Sequence, residues 1–257
     1  MKKLTALILL FPGVTFAASV FDGTWKTRLD SIQVSGKPDV YELSGGVFEC
    51  KSCVPSYKIK ADGTDQAVPL QDYRDHAAVK VLSASSIEVT EKKAGKIIFV
   101  ITESVSADGS KINGTFTSHL GATLTTGTFT EKRVAPGPQG SHPISGSWMQ
   151  DSIGNMSDAG RTIGLQSTPN GLTMSWNGQT TDAKFDGNAY PTSGDPGNTM
   201  VTLKKLSDNQ IEETDRRQGK VHDVIVWTVA RDGKTITTVD TDPVHETKTT
   251  MVFDKQP

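Results

Sequence analysis

The chain is written twice. Sliding the 257-residue sequence along itself by 124 positions brings Asp62-Gly63 onto Asp186-Gly187, Ile87-Glu88 onto Ile211-Glu212 and Asp108-Gly109 onto Asp232-Gly233. The same shift lays "EKKAGK" (91–96) over "DRRQGK" (215–220). Ahead of these matches, "FDGTWKT" (21–27) and "ISGSWMQ" (144–150) share one order of apolar, polar, Gly, hydroxyl and Trp residues. Self-similarity at a fixed spacing defines the folding unit before any local propensity does. Length alone suits one large or two ordinary domains, and the repeat selects two, at 19–134 and 144–257. Between them, 135–143 reads as a linker, because the three prolines and two glycines of "VAPGPQGSHP" (134–143) suit neither a helix nor a strand ladder.

Within each repeat the local signals are β. Runs such as "AAVKVLS", "SIEVTEKK", "KIIFVITESVS" and "TTGTFTEKR" are rich in β-branched residues and are separated by Gly-containing turns at hairpin spacing. Eight or nine such runs per repeat predict an all-β chain of two tandem antiparallel up-and-down barrels, about eight strands each. No segment keeps a helical period for three turns. With 35% apolar residues the cores are small, as in a barrel whose lumen takes one layer of side chains or one small ligand.

Residues 1–18 have the three parts of a secretory signal peptide: Lys2-Lys3, an apolar run from Leu4 to Phe11, and small residues up to Ala17-Ala18. The apolar run is too short to span a bilayer. The expectation is an exported bacterial protein, periplasmic or secreted, with no membrane insertion. A net charge of −2 with both signs interspersed offers no basic face for nucleic acid.

A Gly-x-Trp opening strand, a meander of short strands and a closing strand ending "TEKR" resemble the lipocalin and wider calycin barrels. In that family the Trp plugs one end of the barrel and an Arg of the last strand packs over its face. The resemblance implies a plug of Gly23, Trp25 and Arg133 in the first repeat and of Gly146 and Trp148 in the second. The second repeat ends in "TTMVFDKQP", where Lys255 is the nearest cation at the position matching the Arg. The tandem also resembles exported bacterial two-domain lipocalin-like proteins of unknown function.

Cys50 and Cys53 are the only cysteines. In an oxidising compartment the default is a local disulfide bracing a turn; the alternatives are a redox site, which needs a depressed thiol pKa, and a metal site, which needs two more ligands. The five His residues are scattered and no nucleophile elbow, phosphate loop or dinucleotide motif occurs. No catalytic residue, metal ligand or cofactor is expected, and a non-enzymatic role is expected over an enzymatic one. The two Asn-x-Ser/Thr matches, at Asn113 and Asn155, are idle in a bacterium, and "EKKAGK" and "DRRQGK" read as solvated hairpin tips.

In "KIIFVITESV" (96–105) the odd positions carry the aromatic member, so Ile97, Phe99, Ile101, Glu103 and Val105 are read as facing inward. Because 124 is even, Asp223 and Trp227 face inward in the second repeat, and His222 outward. Phe99, Glu103, Asp223 and Trp227 are therefore the lumen candidates; an inward carboxylate is costly unless it is paired, wet or used on a ligand. Two roles follow: a carrier of a small amphiphilic ligand in one or both lumens, or a ligand-free envelope interaction module or exported inhibitor, with a protein partner that the sequence does not identify. A cavity of several hundred cubic ångströms favours the first.

Overall fold

The computed structural model describes residues 19–70 and 73–257, and residues 1–18 of the expected leader lie outside them. The chain is all-β. The first repeat supplies β1 (Gly23–Gly36), β2 (Asp39–Ser44), β3 (Val47–Cys50), β4 (Tyr57–Lys60), β5 (Gln66–Ala67), β6 (His76–Ser83), β7 (Ser86–Lys93), β8 (Lys96–Val105), β9 (Lys111–Ser118) and β10 (Thr125–Pro136). The second supplies β11 (Gly146–Met156), the single-turn α1 (Asp158–Arg161), β12 (Thr162–Thr168), β13 (Gly171–Trp176), β14 (Gln179–Lys184), β15 (Tyr190–Ser193), β16 (Met200–Ser207), β17 (Gln210–Arg217), β18 (Lys220–Val229), β19 (Thr235–Asp242) and β20 (Thr247–Lys255).

These strands form two antiparallel ten-stranded sheets rolled into barrels, but the sheets do not follow the repeats. One is a closed barrel of β1 and β12 to β20; the other runs β4-β3-β2-β11-β10-β9-β8-β7-β6-β5. Each repeat has therefore given its first strand to the other. β1 pairs with β12 and β20, with Trp25 opposite Ile163 and Lys255, while β11 pairs with β2 and β10, with Trp148 opposite Asp39 and Arg133. The boundaries 19–134 and 144–257 remain those of the sequence repeat, and neither sheet coincides with them. Hereafter barrel 1 is the sheet of β2 to β11 and barrel 2 the closed sheet containing β1.

Three expectations need correction. Each sheet has ten strands rather than about eight, because β5 has two residues and β15 has four around Pro191, too short to show alternation. The linker carries part of the ladder, since β10 continues to Pro136, which sits opposite Gly146. Proline is tolerated there as the terminal residue of its strand. The plug pairs are crossed. Arg133 lies 3.9 Å over the Trp148 ring and the Lys255 ammonium 5.0 Å from the Trp25 ring, so exchange of the first strands exchanges the cations as well.

Both indoles are fully buried, and each donates its Nε1–H to a carbonyl four residues back, Trp25 to Phe21 and Trp148 to Ile144, both at 2.8 Å. The motif's glycine has a steric reason. A Cβ at Gly146 would meet Arg133 Nη1 at 2.6 Å and one at Gly23 would meet Lys255 Cε at 2.9 Å, and both glycines hold positive φ (142° and 138°). The Cys50–Cys53 disulfide is formed and closes the turn after β3.

Candidate functional site

The lumen of barrel 2 holds a half-open cavity of about 420 Å³. Ile163, Met174, Ile225, Trp227, Met251 and Phe253 supply its apolar wall, and the indole of Trp227 lies 5.9 Å from the ring of Phe253. The Trp25 end of the barrel is filled by Phe21, Trp25, Leu172 and Ile236. The other end meets barrel 1. There the Tyr73 hydroxyl donates to Asp195 Oδ1 at 3.0 Å under the guanidinium of Arg217, and Asn177 and Gln179 side chains donate to the carbonyls of Thr123 and Leu120. Tyr73, a first-repeat residue, is thus part of the cavity lining.

Among the described residues the charged part of the lining is mostly acidic, Asp195, Glu213, Asp215 and Asp240 against one cation, Arg217, and the rest of the polar lining is neutral and rich in threonine. Trp227 Nε1–H donates to Glu213 Oε2 at 2.8 Å. Burial, with repulsion from Asp215, still holds the Glu213 carboxyl well above the usual carboxylate range. Burial and then Asp223 push Asp215 up to about 6, and burial, Asp223 and Asp242 push Asp240 up to about 7. Asp215 Oδ1, Asp240 Oδ1 and Thr238 Oγ1 are buried without a hydrogen-bond partner. Arg217 is engaged at the rim, donating from Nε to Thr199 Oγ1 at 2.9 Å and lying 3.6 Å from Asp223. Among the described residues no three His, Cys, Asp or Glu side chains are grouped so as to hold a metal ion.

Barrel 1 fills its interior differently. Gly114 leaves room for the Phe129 ring, whose nearest carbon would lie 2.1 Å from any Cβ there, and Phe116 packs 6.5 Å from Phe129. Burial, with Asp39, pushes Glu103 up to about 7; burial, with Glu103 and Asp39, pushes Glu131 up to about 8. Glu131 Oε2 has no partner. Glu91, by contrast, is ion-paired with Arg74, whose guanidinium lies over Tyr57.

Of the four lumen candidates, Trp227 lines the cavity, Asp223 sits behind it on Arg217, Glu103 is buried in barrel 1, and Phe99 is half-buried opposite Ser118. Ile97 points outward and Ile98 inward, at 42% and 5% exposure. A register shift between Glu91 and Lys92 reverses the alternation there, and an equivalent shift falls between Asp215 and Arg216. Glu213, Asp215, Thr238 and Asp240 were not among the candidates. The signal for Glu213 and Asp215 lay in β7 against β17: Ile87, Val89 and Glu91 alternate inward, and the shift of 124 makes them Ile211, Glu213 and Asp215. "DRRQGK" is accordingly a solvated tip only at its turn, with Asp215 facing the lumen.

No protein-family model, curated protein or solved structure matches this chain.

Carboxyls held above their unfolded values keep protons that the unfolded chain has lost, so stability falls as pH rises from about 4.5 to about 8. His245, raised by its hydrogen bond to Asp242, acts in the same direction, since its stabilising charge is lost as pH rises through its folded pKa. Asp22 and Asp108, held low, matter only at more acidic pH. Urea midpoints at pH 5 should exceed those at pH 8.5. Glu131→Gln should flatten the dependence by on the order of 3 kcal/mol, the cost of ionising so displaced a carboxyl. A pH-independent midpoint would contradict the buried state of these acids.

Proposed function

We propose that this is an exported carrier that holds one small amphiphilic molecule in the lumen of barrel 2, with barrel 1 as its packed support. The carrying observation is the 420 Å³ cavity, which has an apolar wall and unpartnered polar atoms aimed into it. Ligand sites are typically of this size and makeup, a mostly apolar concavity with a few convergent polar groups. Residues 1–18 and the Cys50–Cys53 bridge both suit export to an oxidising compartment. The crossed Trp–cation plugs suit the lipocalin-like reading of both barrels. The rings of Phe116 and Phe129, which take up part of the inner face of barrel 1, favour a ligand-free role for that half.

Native mass spectrometry of the protein recovered from the periplasm tests the reading, together with titration of the apolar dye Nile red. One bound molecule per chain is expected, and Met174→Trp, which fills the lumen, should abolish dye uptake. A bare chain that takes up no dye would leave the cavity without a role.

A further inference from the structure

We propose that the lumen of barrel 2 selects a small organic cation, seating an ammonium among Glu213, Asp215 and Asp240 and an aromatic or alkyl body against Trp227, Met174 and Phe253. The inference rests on the carrier reading and adds the charge of the ligand.

The comparison of the two repeats carries it. In barrel 1 the inward acid Glu91 is neutralised by Arg74. In barrel 2 the corresponding acid is kept as Asp215, but the position 124 residues beyond Arg74 is Asn198, so its arginine is gone. At the same shift, Val89 becomes Glu213, Phe116 becomes Asp240 and Gly114 becomes Thr238. Each change adds an acceptor to the lining of the cavity, and none adds a cation. One change runs the other way: the acid Glu103 becomes Trp227, which supplies an aromatic wall beside the new acids.

The acids converge through the ladder rather than by chance of exposure. On three adjacent strands Glu213 lies opposite Ile225 and Ile225 opposite Asp240, while Trp227 lies opposite Thr238, two residues before Asp240. Thr238 is 1% exposed and its hydroxyl has no partner, and Asp215 and Asp240 each present one unpartnered oxygen to the same space. A buried acceptor without a donor is costly, and an ammonium carries three donors and the missing charge. The resident cation does not fill this role, because Arg217 is held at the rim by Thr199, Asp223 and Tyr73. A metal ion is a poor fit: the acids are not grouped to hold one, and the apolar wall would stand idle.

The test is calorimetric titration of the full chain at pH 8 with phenethylamine, its neutral isostere phenethyl alcohol, and phenylpropanoate. The amine should bind at least tenfold more tightly than the alcohol, and the carboxylate should not bind. Asp215→Asn with Asp240→Asn should remove the amine's advantage over the alcohol. The three-probe comparison on the unmodified chain decides the matter even where that variant fails to fold. Equal affinity for amine and alcohol would overturn the cation and leave the carrier standing. Preference for the carboxylate would overturn it in favour of Arg217. Failure of all three probes while Nile red still binds would also overturn it, whereas failure of every probe and of the dye would remove the carrier reading too.

Discussion

Cut at Gly140, the chain should yield two fragments, one ending at Gly140 and the other 141–257, that stay bound to each other and separate only when urea unfolds the sheets. The reason is the exchange of first strands. β1 belongs to the first fragment, yet it bridges β12 and β20 of the second and closes that barrel, and Trp25 in it is part of the barrel's core. β11 does the reciprocal service between β2 and β10. Pulling the fragments apart would strip one strand from each sheet, expose two buried indoles and break four strand pairings, which no ordinary interface loss approaches. Gel filtration after cleavage should show one species of unchanged size. Expressed alone, fragment 19–140 should be a dimer of copies that exchange β1, because only Lys37 and Pro38 separate β1 from β2, and so short a hinge favours exchange over folding back. Two independent monomers after cleavage would mean that each repeat closes on its own first strand.

The exchange was not legible in the sequence, and the cause is the repeat itself. β1 and β11 carry the same Gly-x-Trp grammar, so each fits either slot, and choosing between the slots depends on hinge geometry rather than on side-chain pattern. Much else was legible. The strands, the turns at Ala94-Gly95 and Gln218-Gly219 with positive φ at each residue, and the Cys50–Cys53 bridge all follow from local chemistry. The lumen was half legible. Reading β8 and β18 alone placed Trp227 correctly but ran its alternation through a bulge, which put Ile97 on the wrong face. The acids of β17 were available to the same reasoning, since Ile211 fixes the inward parity and Glu213 and Asp215 follow it. Thr238 was beyond reach, because a threonine in a Thr-rich strand carries no signal until its hydroxyl is seen to lack a partner.

Arg133→Ala should cost on the order of 3 kcal/mol, and Lys255→Ala less than about 1 kcal/mol. Arg133 stacks on Trp148 at 3.9 Å and donates three hydrogen bonds to backbone carbonyls, from Nε to Gly109, from Nη1 to Ser145 and from Nη2 to Pro143. It therefore ties β10 to the β8–β9 turn, the connecting segment and the plug of barrel 1 in one planar fork that an ammonium cannot reproduce. Arg133→Lys should accordingly recover less than half of the loss. Lys255 lies farther from its ring, at 5.0 Å, and what it contributes to Trp25 is mainly the cover of its stem. Urea unfolding of the full-length variants gives the two costs, and equal midpoints for the two alanine variants would contradict the geometry. Double-mutant cycles go further, because they report which indole each cation serves. Arg133→Ala should couple to Trp148→Phe by on the order of 1 kcal/mol and be additive with Trp25→Phe, and Lys255→Ala should show whatever coupling it has with Trp25 alone. If Arg133 instead coupled to Trp25, each repeat would be plugging its own barrel, and the crossed strands with the fragment behaviour they predict would fall together.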